Sequence, residues 1–125
     1  MFLDSISRRN IDLYATFIMA FTMAVLSFMP VESLPESNVS DKWQHAVAFL
    51  VLVLPLSICR PHLALKVAVV ALVFGAMIEI LQPYFNRFFE FLDFIADGVG
   101  VVAGVFFGRF MRRFIHSIEQ RLFKK

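Results

Sequence analysis

Eight polar side chains interrupt or border otherwise apolar sequence: Asp41, Lys42, His45, Glu79, Gln82, Arg87, Asp93 and Asp97. A carboxylate beside an imidazole is the pairing that moves protons, so Glu79 or Asp97 is a candidate base and His45 a candidate acid or shuttle. Lys42 and Arg87 are the types that hold an anion. Asp41, Gln82 and Asp93 add polar contacts for a substrate. His45, Glu79 and Asp97 are thus the candidate catalytic set, and the other five the candidate binding set.

Spacing decides whether these residues can meet, because positions three or four apart share a helix face. Asp41 and His45 align. Ala64, Ala68, Ala71, Gly75, Glu79 and Gln82 form a stripe that is small along its length and polar at its end. Asp93, Asp97, Gly100, Gly104 and Gly108 repeat the design, the last three as two overlapping GxxxG units. Small residues let helices approach closely in lipid. If the small face of the third apolar stretch packs on that of the fourth, their acidic ends meet, with His45 at the same depth. A homodimer through Gly100, Gly104 and Gly108 is the alternative use of that face.

The elements that must carry these residues are membrane spans. Of the 125 residues, 59% are apolar and 18% charged, and 16 are Phe, more than a small soluble core can bury. Apolar stretches at about 11–29, 43–59, 64–82 and 91–110 each approach the ~20 residues that a spanning helix needs. Breakers separate them at Pro30 and Pro35, at Arg60-Pro61-His62 and from Pro83 to Glu90. The expectation is one all-α domain over 1–125, a polytopic bundle of four transmembrane helices in a lipid bilayer.

Counting Lys and Arg by side sets orientation. Arg8, Arg9, Arg60, Lys66, Arg109, Arg112, Arg113, Arg121, Lys124 and Lys125 fall on one side, against Lys42 and Arg87 on the other. That asymmetry predicts both termini in the cytoplasm and the polar cluster on the outer face. The basic stretch 111–125 carries Phe114, Ile115, Ile118 and Leu122 at helical spacing, which predicts an amphipathic helix along the anionic inner leaflet. Arg8 and Arg9 before an apolar run faintly resemble a twin-arginine signal. The run from Leu13 to Met29 is too long for a signal core and lacks a small-x-small cleavage site, so it is read as a retained first helix.

Two carboxylates brought together in a partly dry site repel unless one is protonated or a cation intervenes. The plainer alternative is that the polar groups only pair and lock the bundle. No metal or cofactor is expected: Cys59 is the single cysteine and no second histidine joins the cluster. A cation on His45, Glu79 and Asp97 is the weaker reading. Transport is disfavoured, since no ionisable residue follows Asp97 before Arg109 and none lies between Lys66 and Glu79. The basic residues border spans instead of lining a soluble face, which excludes a nucleic-acid partner. No GxGxxG, P-loop or GxSxG occurs.

The order of these groups resembles the VanZ-like family of small bacterial membrane proteins, named for a teicoplanin-resistance protein. The residues that carry the likeness are Asp41-Lys42-x-x-His45-x-x-x-Phe49, Glu79-x-x-Gln82, Arg87, and Asp93-x-x-x-Asp97 with Gly100 and Gly104. They run from Asp41 to Gly108, over half the chain. Family members often carry Asn where this chain has Asp97. The resemblance implies a multi-pass protein of the bacterial inner membrane, tied to the cell envelope or to lowered glycopeptide susceptibility. Its outer-face site would then bind or modify an envelope lipid-linked or amphiphilic substrate.

Overall fold

The computed structural model describes residues 2–30 and 40–123, and all regular structure among them is helical. The order is α1 (Phe2–Arg8), α2 (Ile11–Phe28), α3 (Asp41–Cys59), a 3₁₀ turn (Pro61–Leu63), α4 (Ala64–Leu81), a second 3₁₀ turn (Gln82–Phe85) and α5 (Phe91–Phe123). The chain has four helices long and apolar enough to cross a membrane, and it is a multi-pass membrane protein. Exposed side chains agree: Tyr14, Phe17, Ile18 and Phe21 on α2, and Leu65, Val69 and Val70 on α4, face outward where only lipid would accept them. The interior is small, built on Phe49, Leu52, Val53, Ala71 and Val101.

Element boundaries follow local chemistry. The second span begins at Asp41, not Trp43, because Ser40 caps it and accepts the Trp43 N–H on its hydroxyl at 3.4 Å. Asn10 and Asn86 adopt left-handed backbone (φ 55 and 58) and turn the chain before α2 and after the Gln82–Phe85 turn. Pro55 lies inside α3, a breaker that the linker reading left out; its missing N–H releases the Val51 carbonyl without ending the helix. Most of the Pro30 to Ser40 linker, with Pro35, lies outside the described residues, as do Lys124 and Lys125.

The fourth span differs from expectation. No Pro or Gly follows Gly108, so α5 continues unbroken for 33 residues, about 50 Å at ~1.5 Å per residue. Residues 111–123 therefore continue α5 without a break.

The small faces pair differently as well. The Ala64, Ala71, Gly75, Glu79 and Gln82 stripe is the buried face at the α4 end of the bundle. Gly100, Gly104 and Gly108, however, lie against α3 rather than α4. A Cβ at Gly100 would strike the Ala46 carbonyl, one at Gly104 would stand 2.6 Å from the Leu50 carbonyl oxygen, and one at Gly108 2.6 Å from Ser57 Cβ. Within the chain this groove is filled by α3, which corrects the expected α4 partner.

At the basic end an ion pair ties three segments together. Arg60 Nε donates to Asp12 Oδ2 at 2.6 Å, and its Nη2 donates to Asp12 Oδ1 at 3.2 Å, Asn10 Oδ1 at 2.8 Å and the Ser7 carbonyl at 2.9 Å. Asp12 is 2% exposed. Arg112 Nη1 donates to the Ile58 and Cys59 carbonyls at 2.9 and 3.2 Å, closing the C-terminus of α3. Composition pointed to none of these partners, because a span-end Asp and a loop Arg are ordinary residues until the fold joins them.

Candidate functional site

The polar groups gather where α3 begins, α4 ends and α5 begins. Lys42 and His45, three apart, share a face of the first turns of α3. Glu79 ends the small stripe of α4. Asp93 and Asp97, four apart, share a face of α5, and Asp97 lies ~9 Å along the helix from Phe91.

His45 is the hub. Its Nδ1 lies 2.8 Å from Asp97 Oδ1, a hydrogen bond in which the ring N–H donates, and 4.0 Å from Glu79 Oε1. Its Nε2 stands 3.8 Å from Asp93 Oδ2, beyond hydrogen-bond reach, and the two attract as an ion pair only when the imidazole is protonated. Glu79 and Asp97 each keep 1% exposure and Asp93 4%. Glu79 Oε2 accepts the Glu90 N–H at 3.3 Å, while Glu79 Oε1 is buried without a hydrogen-bond partner.

Lys42 closes the outward side. Its ammonium donates to Glu90 Oε2 at 2.7 Å and stands 3.4 Å from Asp93 Oδ1. The side chains of Lys42 and Glu90 are 43% and 49% exposed, so this pair borders the cluster on its exposed side. The Lys42 ammonium holds the Glu90 carboxyl below the usual glutamate range. Four carboxylates, Glu79, Glu90, Asp93 and Asp97, thus face one ammonium and one imidazole. When all four are ionised, even a protonated His45 leaves an excess of negative charge, which only another cation could offset.

The structure therefore brings His45, Glu79, Asp97, Lys42 and Asp93 together. Gln82 is buried at the same end, and its carbonyl accepts the Arg87 N–H at 3.2 Å. Arg87 is half-buried, with Nη1 buried and without a hydrogen-bond partner, and it forms no ion pair with the cluster among the described residues. Asp41 is exposed and stands outside the cluster. Lys42, expected with Arg87 to hold an anion, has its ammonium engaged by two carboxylates, Glu90 and Asp93. Glu90 is the member that sequence reading missed; its place in a polar loop between spans gave no periodic signal.

Gly75 is part of the site. A Cβ there would come 2.7 Å from Asp97 Oδ2 and 3.1 Å from Phe49 Cζ, so only glycine leaves room for the carboxylate beside α4. The donor atoms of His45, Glu79 and Asp97 lie within 4.8 Å of one another, a spacing that one ion can bridge. At the opposite, basic end a cavity of about 530 Å³ is lined by Pro61, His62, Arg109, Arg112, Arg113 and His116.

Comparison with protein-family models, with curated proteins and with solved structures gives no match.

Proposed function

We propose that this chain is a VanZ-like protein of the bacterial cytoplasmic membrane, with both termini in the cytoplasm and the His45 cluster at the outer face. There it binds or modifies the polar group of an envelope lipid-linked or amphiphilic substrate, and through it lowers susceptibility to a glycopeptide such as teicoplanin. The observation that carries this reading is His45 held among Asp97, Glu79 and Asp93 at the meeting point of three spans. Buried charge in a membrane is costly, and a bundle needing only cohesion is built more cheaply from apolar contacts. Asp97 orients the imidazole, and Glu79 Oε1, like Asp93 Oδ1 buried without a hydrogen-bond partner, is a carboxylate oxygen placed to receive a proton or a ligand.

A second reading, a non-catalytic scaffold whose cluster only locks the bundle, is favoured by the 1% exposure of Glu79 and Asp97. Expression of the wild type, His45→Ala and Glu79→Gln in a susceptible host separates the two. The site reading expects the wild type to raise the teicoplanin concentration needed to stop growth, and both variants to lose that effect at equal membrane abundance. Folded variants that retain it would sink the site reading in favour of the scaffold.

A further inference from the structure

Three span ends put two carboxylates and one imidazole where a single ion would touch all of them. His45 offers one ring nitrogen, Glu79 and Asp97 one carboxylate oxygen each, and these atoms lie within 4.8 Å of one another, with Nδ1 the nitrogen that stands nearest both carboxylates. An independent feature points the same way. Glu79 Oε1 is buried, lacks a hydrogen-bond partner and stands 4.0 Å from His45 Nδ1. A proton placed on that oxygen would find no partner within hydrogen-bond reach, whereas a cation would satisfy it.

We propose that His45 Nδ1, Glu79 Oε1 and the Asp97 carboxylate bind one divalent transition-metal ion. The inference rests on reading the cluster as a ligand site. A neutral imidazole with two carboxylates cancels a charge of two, which leaves a neutral complex in a medium that penalises net charge. One nitrogen and two oxygen donors suit zinc or manganese, and the only thiol, Cys59, ends α3 far from His45. Starting from the imidazolium, which carries a hydrogen on each ring nitrogen, the ion takes the place of the Nδ1 proton, that proton is released to solvent, and the imidazole is left neutral. The remaining Nε2–H then faces Asp93 Oδ2, and Lys42 steadies Asp93 from its other oxygen. Three protein ligands leave a coordination position for water or for an oxygen of a bound polar group.

The test uses tag-free full-length protein in detergent, stripped with EDTA and titrated with zinc or manganese against a chelating indicator. One ion per chain is expected. His45→Ala, Glu79→Gln and Asp97→Asn should each weaken binding by about 100-fold or more. The His62→Ala/His116→Ala double variant, altered only in the basic cavity, should bind as the wild type does. X-ray absorption on zinc-loaded wild type needs no variant and should report imidazole and oxygen ligands at about 2.0–2.2 Å. No stoichiometric ion, binding indifferent to residues 45, 79 and 97, or binding lost in the double variant overturns the proposal. Absence of metal with the susceptibility effect intact removes the ion and leaves the polar site. Metal binding without that effect removes the substrate reading alone.

Discussion

His45 Nδ1 stands 2.8 Å from Asp97 Oδ1 across 52 positions of sequence, and this contact fastens the start of α3 to α5 at the depth where Glu79 ends its stripe. The same two helices are drawn together along their length by Gly100, Gly104 and Gly108. Close packing and polar chemistry therefore depend on one helix pair.

Glycine substitutions should sort by the space at each site. Gly100→Ala and Gly104→Ala force a Cβ into the α3 backbone and should each cost roughly 1–3 kcal/mol, as overpacking does. Gly98→Ala meets only Leu72 Cδ2 at 3.8 Å and should be neutral or stabilising. Gly75→Ala should displace Asp97 and weaken the His45 contact. Thermal unfolding in detergent ranks the set; equal losses at Gly98 and Gly100 would contradict the α3–α5 packing.

Arg60→Ala strands the buried Asp12 carboxylate and should destabilise the chain by roughly 3 kcal/mol. Asp12→Leu with Arg60→Met removes both charges and should recover most of that loss. If the double variant is no better than Arg60→Ala in denaturant unfolding, the pair is not what holds this end together.

The Lys42–Glu90 bridge has a defined pH sign. Because Lys42 holds the Glu90 carboxyl below the usual range, the bridge is complete above ordinary glutamate titration, near pH ~4.3, and is lost as pH falls through Glu90's lowered value. Both groups are exposed, so little stability follows it. Carbon-13 NMR of glutamate carboxyls should show Glu90 titrating at higher pH in Lys42→Gln; an unmoved titration would place Lys42 elsewhere.

Orientation is open to chemical labelling on a Cys59→Ser background. Tyr84→Cys lies at the cluster end and is 81% exposed in the wild type, so a membrane-impermeant maleimide should reach it on intact cells. Arg113→Cys should label only after permeabilisation. The reverse pattern would invert the assignment from basic residues.

Much of this was legible in sequence because lipid writes a simple rule. Long apolar stretches with polar breaks located four spans, and helical spacing put Glu79 and Asp97 on faces that turn inward. Small stripes announce close approach but do not name the partner, so Gly100 packs on Ala46 and not on the α4 stripe. Pairs remote in sequence were silent too: Asp12 with Arg60, and Lys42 with Glu90, join segments whose geometry no local pattern encodes. That the expected tail helix joins the fourth span as one α5 was not legible either, because charge at Arg112 and Arg113 does not show whether a helix stops there.

The most direct measurement is the thermal midpoint of Glu79→Gln against wild type in EDTA. A carboxylate kept for ligand binding burdens the empty fold, because Glu79 Oε1 has no hydrogen-bond partner and 1% exposure. The expected result is a midpoint equal to or above that of wild type. A fall of about 5 °C or more, on the order of 1 kcal/mol for a chain of this size, would show that the carboxylate locks the bundle and contradict its role as a site.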